Sequence, residues 1–342
     1  MKIGVHLLAW PEQGRASADG FERRVRAADA YGFDRITTGD VQGNHLECFT
    51  ALAYVAALTA RVGVGPLTTH GVTRDAGVAA AAVASLDAIS GGRAFFVLGR
   101  GDGSVRNVGL KPATVDETRE YFVAVRDLLR SGRATYRGRD LVLEWPSATI
   151  QQIPLYLVAE GPRMLDMAGE VADGVYLGTG FQPDVIAATV QRIRAAAQRA
   201  GRDPGSVELW WGTRCAVAAT HEEAVAAVRE SLSSMGNHAL RGDYAAKLVP
   251  ESVVAMLRRY HERYSYAAKN ALGGGPTNGD LMDELGLTQY FLERFGVVGT
   301  PDEIVARLRD LRSQGVERVN LAADTDEQLR LLGEEVLPRL RS

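Results

Sequence analysis

Residues 94–110 read AFFVLGRGDGSVRNVGL, an apolar run that stops at a glycine-rich stretch. Ala94 to Leu98 show no alternation of polar and apolar residues, which is typical of a parallel strand covered on both faces. Gly99, Gly101 and Gly103 follow at once, and without a Cβ they let backbone amides approach a bound group closely. The stretch therefore predicts a buried strand that ends in a ligand loop. The competing interpretation, a turn between two elements, has to be weighed against the rest of the chain.

A strand followed by a helix recurs eight times along the chain. The predicted strands are Ile3–Leu8, Phe33–Thr38, Val62–Leu67, Ala94–Leu98, Pro154–Val158, Gly174–Leu177, Val207–Val217 and Arg318–Leu321. This order predicts parallel strands with helical crossovers, and eight strands close a barrel. We therefore expect an α/β fold, a (β/α)8 TIM barrel, as a single domain over residues 1–342. A doubly wound sheet is the main alternative, but its glycine-rich turn belongs after the first strand, where this chain has Leu8-Ala9-Trp10-Pro11.

One segment does not fit a minimal strand-helix unit. Residues 231–295 contain an amphipathic helix predicted over Ser252–Lys269, a glycine run from Gly273 to Gly279, and more polar helix. We interpret the segment as a helical insertion before the last unit. It is a candidate lid over the active site, and a solvent-facing decoration is the alternative.

Composition excludes several classes of function. The 342 residues carry a formal net charge of -3, with 46% hydrophobic and 24% charged residues, as expected for a globular protein. There is no basic stripe to indicate nucleic-acid binding. Cys48 and Cys215 lie far apart, so neither a disulfide framework nor a zinc site is predicted. The amino terminus lacks the pattern of a secretory signal and no apolar run is long enough to span a bilayer, so we expect a cytoplasmic protein.

Barrel enzymes place their active sites at the carboxyl ends of the strands. The residues that follow the predicted strands are His6 and Trp10, Asp40, Thr68 to His70, Gly99 to Asp102, Glu160 and Gly161, Thr179 and Gly180, Trp210, Trp211 and Arg214, and Asp324. They contain no P-loop, no HExxH motif, no nucleophile elbow and no metal-ligand cluster. Glycines, hydroxyls and aromatic rings instead suit a large flat ligand that carries phosphate. The sequence therefore predicts an organic cofactor and no metal.

Several short motifs, taken in order, resemble one known family. They are Ile3-Gly4-Val5, the Gly32-Phe33-Asp34 joint, Val72 to Asp75, Leu86 to Arg93, Leu98 to Asp102, Ala172-Asp173-Gly174 and Val298 to Pro301. Together they resemble the luciferase-like monooxygenase superfamily. The Gly99 to Ser104 loop with Val108-Gly109 is most similar to the branch of methylenetetrahydromethanopterin reductases and other enzymes that depend on coenzyme F-420. The resemblance implies a TIM barrel, a homodimer, and either FMN or the 8-hydroxy-5-deazaflavin of coenzyme F-420 in the barrel mouth.

The resemblance also implies which residues meet the cofactor. Behind the ring it places Pro66, Leu67, Thr68 and Thr69, a loop that often carries a non-proline cis peptide in this family. Against the ring and ribityl chain it places Gly101, Asp102 and Gly103. Around the phosphate it places Glu160, Gly161 and Pro162, then Gly178, Thr179 and Gly180, with positive charge from Arg163 at the start of a helix.

Candidate catalytic residues are Asp40, Asp102 and His6. Either aspartate could handle a proton or orient a cationic substrate, and a solvated loop acid or helix cap is the structural alternative. For His6 the structural alternative is a hydrogen-bonded core residue. Its position is an acid in the tetrahydromethanopterin reductases, which indicates a different substrate. Many deazaflavin-dependent relatives have a histidine after the acid of the second strand, where this chain has Val41. Substrate contacts are assigned to Trp10, Trp210 and Arg214, with core packing as the alternative for the tryptophans.

Three functions from different classes follow. The first is an oxidoreductase that transfers a hydride between coenzyme F-420 and a small organic substrate. The second is an FMN-dependent monooxygenase of the bacterial luciferase type, because a flavin nitrogen supports peroxide chemistry that the carbon analogue does not. The third is a flavin-binding protein without catalysis. The sequence does not name the substrate.

Overall fold

A computed structural model describes residues 1–8, 18–41, 45–145, 152–266, 277–323 and 325–341. The strands in these ranges are β1 Lys2–His6, β2 Arg35–Thr38, β3 Gly63–Pro66, β4 Thr69–His70, β5 Phe96–Gly99, β6 Arg133–Tyr136, β7 Arg139–Val142, β8 Leu155–Ala159, β9 Gly174–Leu177, β10 Glu208–Gly212, β11 Arg214–Val217, β12 Gly296–Gly299 and β13 Arg318–Ala322. A strand lies at or beside each of the eight predicted positions.

Helices alternate with these strands. They are α1 Asp19–Tyr31, α2 Cys48–Leu58, α3 Ala76–Ser90, α4 Gly103–Arg106, α5 Val115–Ser131, α6 Pro162–Val171, α7 Pro183–Arg199, α8 His221–Leu240, α9 Glu251–Arg263, α10 Asn278–Glu284, α11 Thr288–Phe295, α12 Pro301–Ser313, α13 Asp326–Leu331 and α14 Leu337–Arg341, with a 3-10 turn at Ala245–Lys247 and a π turn at Leu332–Val336. Capping boxes formed by Thr114, Thr220 and Thr300 begin α5, α8 and α12.

The main sheet is parallel throughout and almost closed. Its strand order is β3-β2-β1-β13-β10-β9-β8-β5-β4. Strands β3 and β4 follow each other in the chain and together form one side of the barrel, and a bridge between Val64 and Ala94 joins β3 to the residues that lead into β5. The prediction of a TIM barrel is confirmed, and the doubly wound alternative is wrong because the two edges of the sheet meet.

Alternating residues of each strand face the barrel interior. Phe95, Val97, Tyr156, Tyr176 and Trp210 form a separate buried cluster there. The intervening residues pack against the surrounding helices in a much larger cluster. The interior is therefore a packed core below the mouth, and only residues at the strand ends can meet a ligand.

The predicted seventh strand is corrected by the structure. Val207–Val217 is not one strand, because the chain changes direction at Thr213. The first part, β10, belongs to the barrel, whereas β11 pairs outside it with β12 in a parallel ladder from Arg214 and Gly296 to Val217 and Gly299. Strand β12 follows α11 without a break and was not predicted. Strands β6 and β7 pair as a separate antiparallel hairpin.

The segment expected as an insertion has its own apolar core. Buried side chains of α8, α9, α10 and α11, including Leu232, Leu257, Met282 and Phe291, form a second cluster. Helix α8 runs across the expected start at residue 231, and α9 ends at Arg263 rather than at Lys269. Most of the glycine run, residues 273–276, lies outside the described residues. None of the helices that the structure describes has the length and apolarity needed to cross a membrane.

Candidate active site

The mouth of the barrel has a floor of small residues. A small residue lies at or just past the carboxyl end of each of four barrel strands. Each is two residues beyond an inward-facing residue and so faces the barrel interior as well: Gly99, Gly178, Gly212 and Ala322. A Cβ on Gly99 would lie 2.8 Å from Thr68 Oγ1, and one on Gly178 would lie 2.6 Å from Glu160 Oε1. The floor is therefore flat, and neighbouring groups already crowd its edges.

The loop between β3 and β4 forms one wall of the mouth. The peptide bond between Leu67 and Thr68 is cis, as the family resemblance implied for this loop. Leu67 packs against the inner core of the barrel. Gly101, in the next loop, has φ +79, and a Cβ there would meet Val105 Cγ2 at 2.2 Å, so this turn requires glycine.

Asp40 anchors that wall from behind. Its carboxylate accepts hydrogen bonds of 2.7 Å from both Thr69 Oγ1 and Arg74 Nη1. Arg74 also pairs with Glu47 at 2.6 Å, and the Asp40 side chain is only 2% exposed. Asp40 was predicted to be catalytic. Both partners hold the carboxylate in a buried ion pair, which supports an anchoring role, and the catalytic role of Asp40 stays a prediction.

His6 projects into the mouth from the end of β1. Its Nδ1 lies 3.1 Å from Thr37 Oγ1 on the neighbouring strand. Burial, with the nearby His45 and Arg214, lowers the pKa of the His6 imidazole from 6.5 to about 3. His6 is therefore neutral at physiological pH and can accept or donate a hydrogen bond without carrying charge.

Two more side chains share this region. Burial lowers the pKa of His45 to about 4, so a second neutral imidazole stands beside His6. His45 was not predicted, although it lies only five residues beyond Asp40, between the end of β2 and the start of α2. Arg214 was predicted to contact substrate. Its Nε donates to Ser231 O at 3.0 Å, and its charge acts on both His6 and Glu160.

Helix α8 brings a histidine, His238, to the mouth. His238 Nδ1 lies 2.8 Å from Glu160 Oε1, at the end of β8. Burial acts to raise the pKa of the Glu160 carboxyl, but the attraction of His238, Lys247 and Arg214 outweighs it and the pKa is lowered. Lys247 Nζ donates to Ala239 O at 2.7 Å, at the end of the same helix. No sequence pattern linked α8 to this site.

The insertion also touches the glycine loop. Tyr266 Oη donates to Asp102, with distances of 3.2 and 3.3 Å to the two carboxylate oxygens. Arg106 Nε lies 3.0 Å from the same carboxylate, and Arg241 lies 3.9 Å from it. The Tyr266 ring lies between the two guanidinium groups, 5.2 Å from that of Arg106 and 5.7 Å from that of Arg241. Asp102, predicted to be catalytic, joins the insertion to the loop.

Other predicted contacts lie away from the mouth. Trp210 is 1% exposed and stacked on Tyr176 inside the barrel, which supports core packing, the alternative to its predicted contact with substrate. Arg163 is turned outward to Asp116, with its side chain 71% exposed, and adds no charge to the site. Arg294 covers the last two residues of the Gly178-Thr179-Gly180 triplet: its Nε donates to Thr179 O at 3.1 Å, and a Cβ on Gly180 would lie 2.5 Å from its Cγ.

Three predicted cofactor or substrate contacts remain. Gly161, just before Pro162 and α6, faces open space, since a Cβ there would meet no atom within 4 Å. Gly103 begins the short helix α4 behind Asp102. Trp10 lies outside the described residues.

These residues fit a flat, anionic organic group. The glycine floor leaves room for a ring, and Arg214, Lys247 and Arg241 outnumber the acids Glu160 and Asp102 around it. Among the described residues, no three His, Cys, Asp or Glu side chains come close enough to hold a metal ion. The mouth therefore offers shape, cations and neutral imidazoles, which suit a bound organic cofactor.

Several known proteins are similar to this chain in sequence or in fold. A 5,10-methylenetetrahydromethanopterin reductase of Methanolobus tindarius is 29% identical over 92% of this chain and 94% of its own length. The structure of a coenzyme F-420-dependent tetrahydromethanopterin reductase from Methanopyrus kandleri superposes with a TM-score of 0.75 at 22% identity, over 99% of both chains. An F-420-dependent secondary alcohol dehydrogenase, solved with an F-420-acetone adduct, superposes with a TM-score of 0.74 at 19% identity over all of both chains.

The sequence profile of one family covers most of the chain. It is the luciferase-like monooxygenase profile, and it matches residues 1–318. This range includes the glycine loop, the wall with the cis peptide, and the insertion that contacts Asp102. The chain therefore belongs to the luciferase-like monooxygenase family.

Proposed function

We propose that this protein is an oxidoreductase that transfers a hydride between coenzyme F-420 and a small organic substrate. The observation that carries the proposal is the barrel mouth, whose small-residue floor is bordered by Arg214, Lys247 and Arg241. A deazaflavin has a flat ring for that floor and phosphate and carboxylate groups for those cations. The solved structures named above include a reductase and a dehydrogenase that depend on this coenzyme.

Each part of the mouth has a role in this proposal. Leu67 and Thr68 support one face of the ring, and the Gly101 to Gly103 turn and Gly161 approach its side chain through their backbone. When bound, the deazaflavin supplies a ring carbon that gains or loses a hydride. The protein itself positions the substrate, excludes water, and provides neutral imidazoles where a proton has to be held.

Cofactor titration tests the proposal. The purified protein is titrated with coenzyme F-420 and, separately, with FMN, and binding is followed by calorimetry and by the absorbance of the ring. We expect F-420 to bind in the micromolar range or tighter, and Arg241→Leu to weaken its binding about tenfold, the loss of one charge-assisted contact. Arg119→Met, which removes an exposed pair with Glu170 on the outside of the barrel, is the matched control and should bind normally. Tight binding of FMN with none of F-420 would refute the proposal.

An FMN-dependent monooxygenase is the second candidate, because the family profile is named for that chemistry. Consumption of oxygen by the protein with reduced FMN, coupled to turnover of a substrate, would favour it. A protein that binds flavin without catalysis is less well supported, since His6 faces the mouth rather than the outer core.

We also propose that the protein is a homodimer. Val78 and Ile89 on α3 are 57% and 52% exposed, and Tyr54 on α2 is 37% exposed. A groove with an accessible volume of about 350 Å³, lined in part by Phe49, runs beside them. Light scattering should give twice the chain mass, and Ile89→Asp should give a monomer.

We propose a cytoplasmic location for the protein, in keeping with two buried cysteines that form no disulfide.

A further inference from the structure

Arg294 is a buried arginine of α11 that lies between two loops of the mouth, and it is 1% exposed. Its Nε donates to Thr179 O at 3.1 Å, its Nη2 to Lys247 O at 2.6 Å and its Nη1 to Leu248 O at 3.2 Å. Nη1 also donates to Tyr290 Oη at 2.9 Å. One side chain therefore joins the loop after β9 to the connection between α8 and α9.

The loop after β9 packs directly on Arg294. The Phe181 amide donates to Arg294 O at 2.7 Å, so the backbone of Arg294 holds the loop as well as its side chain does. Gly180 has φ +114, and a Cβ there would lie 2.5 Å from Arg294 Cγ. Arg294 therefore sets the course of the loop from Thr179 to Phe181.

Lys247 is fixed at both its backbone and its side chain. Arg294 holds its carbonyl oxygen, and its Nζ donates to Ala239 O at 2.7 Å, near the end of α8. Its charge helps to lower the pKa of Glu160, whose Oε1 would lie 2.6 Å from a Cβ on Gly178. Lys247 and the loop after β9 therefore border the same edge of the mouth.

Among the described residues, the charge of Arg294 has no acid at hydrogen-bond distance. Its four hydrogen bonds all end on neutral oxygens. Burial lowers the pKa of the guanidinium below its ordinary value. A buried cation without an anionic partner is costly, and an apolar side chain would fill the same space at less cost. An anion bound at this edge of the mouth would supply the missing counter-charge.

We infer that Arg294 is a positioning residue for a phosphate group of the cofactor, because it fixes both Lys247 and the loop after β9 at one edge of the mouth. Arg294 does not bind the phosphate itself, since four of its five N–H donors are used within the protein. This inference rests on the proposed function for a cofactor in the mouth. FMN, which also carries a phosphate, would serve it as well as coenzyme F-420.

Binding of matched ligands with and without the phosphate tests the inference. FMN and riboflavin differ only in that group, and coenzyme F-420 is compared with its phosphate-free 8-hydroxy-5-deazariboflavin. Calorimetry gives the phosphate selectivity, defined as the Kd of the phosphate-free form divided by the Kd of the phosphate-bearing form. Arg294→Met should lower this selectivity about tenfold and change the Kd for riboflavin by less than about twofold. Equal weakening of both forms would show a merely structural role and overturn the inference.

Two variants separate positioning from charge and from loss of stability. Arg294→Lys keeps the charge, but an ammonium cannot reach several carbonyl oxygens as the planar guanidinium does, so it should lose selectivity as Arg294→Met does. Full selectivity in Arg294→Lys would overturn the inference. Arg202→Met is the matched control, because its guanidinium donates at 2.7 Å to Gly169 O and Ala172 O, near the amino end of β9. It should keep the selectivity of the wild type, and a similar loss there would attribute the effect to stability alone and overturn the inference.

Lys247→Met keeps the test decisive if Arg294→Met does not fold. With Arg294 in place it removes the cation, so it should by itself lower the selectivity about tenfold, and in the double variant the two losses should not add. Unchanged selectivity in Lys247→Met, or additive losses, would overturn the inference. If FMN binds and F-420 does not, the proposed function fails, while the FMN and riboflavin pair still decides the role of Arg294. A wild-type protein that does not favour the phosphate-bearing form of either ring would overturn the inference.

Discussion

Replacing Arg74 by methionine separates an anchoring role of Asp40 from a catalytic one. Methionine keeps much of the volume of the side chain but leaves the Asp40 carboxylate, 2% exposed, without its cation at 2.7 Å. Breaking a buried ion pair from one side costs about 3 to 5 kcal/mol. Thr69 Oγ1 still donates to the carboxylate at 2.7 Å, so we expect the low end of that range, about 3 kcal/mol of unfolding free energy.

The companion variant makes the measurement a double-mutant cycle. Asp40→Asn removes the charge that Arg74 balances, so the double variant should be more stable than the sum of the single effects by about 1 kcal/mol or more. Urea unfolding at neutral pH gives all four free energies, with Arg119→Met as the control. That residue pairs with Glu170 in solvent, with side chains 44% and 30% exposed, and its loss should cost under about 1 kcal/mol.

Two outcomes of the cycle would contradict the anchoring role. One is a cost below about 1 kcal/mol for Arg74→Met, because a buried carboxylate cannot lose its partner so cheaply. The other is strict additivity of the two substitutions. Either result would return Asp40 to the set of candidate proton donors.

Three further predictions follow from the site. The nearby His238, Lys247 and Arg214 lower the pKa of Glu160 below 4.5, so the carboxylate stabilises the fold above that pH and this contribution is lost on further acidification. In urea unfolding, the difference in unfolding free energy between wild type and Glu160→Gln should therefore narrow below about pH 4.5. A difference independent of pH would contradict this prediction. His6 takes up a proton near pH 6.5 in the unfolded chain but only near pH 3 in the folded protein, so acid favours unfolding. Between neutral pH and pH 5, the wild-type protein should lose about 2 kcal/mol more unfolding free energy than His6→Gln. Equal pH dependence of the two proteins would show that His6 titrates normally. Gly178→Ala places a Cβ 2.6 Å from Glu160 Oε1, so it should cost about 1 to 3 kcal/mol of unfolding free energy and weaken cofactor binding. Gly77→Ala in α3 is the control, because the nearest atom would be 3.4 Å away, and its melting temperature should be unchanged or raised. Equal effects of the two substitutions would argue against a crowded floor.

Local pattern was enough to predict most of the barrel. Seven of the eight predicted strands contain a single strand segment of the barrel at or near the expected bounds, because each is a short apolar run between a helix stop and a polar strand end. The seventh predicted strand was wrong at Thr213, where the chain leaves one sheet for another while the residues on both sides stay apolar. Strand β12 was not predicted because its partner β11 lies about eighty residues earlier in the chain, and a local sequence pattern does not indicate so distant a pairing.

Side-chain direction was harder to predict than strand position. Trp210 and Trp211 are both 1% exposed, yet the first lies inside the barrel and the second among the outer helices. Both sides of a closed parallel sheet are dry, so burial leaves the two faces with similar apolar residues. The inward position of Thr37 follows from the two-residue period of β2 once the register of the sheet is known.

The sequence by itself determined that this chain closes a parallel barrel with a glycine loop on its rim, because hydrophobic runs, helix stops and strand-end glycines are local properties. The tertiary structure alone decided which strand-end residues are free for chemistry. Asp40 is occupied by Arg74, Glu160 by His238 from α8, and Asp102 by Tyr266 from the insertion. These pairs join residues far apart in the chain, and their electrostatic effect falls off within a few ångströms, so only the folded arrangement determines which groups remain for the substrate.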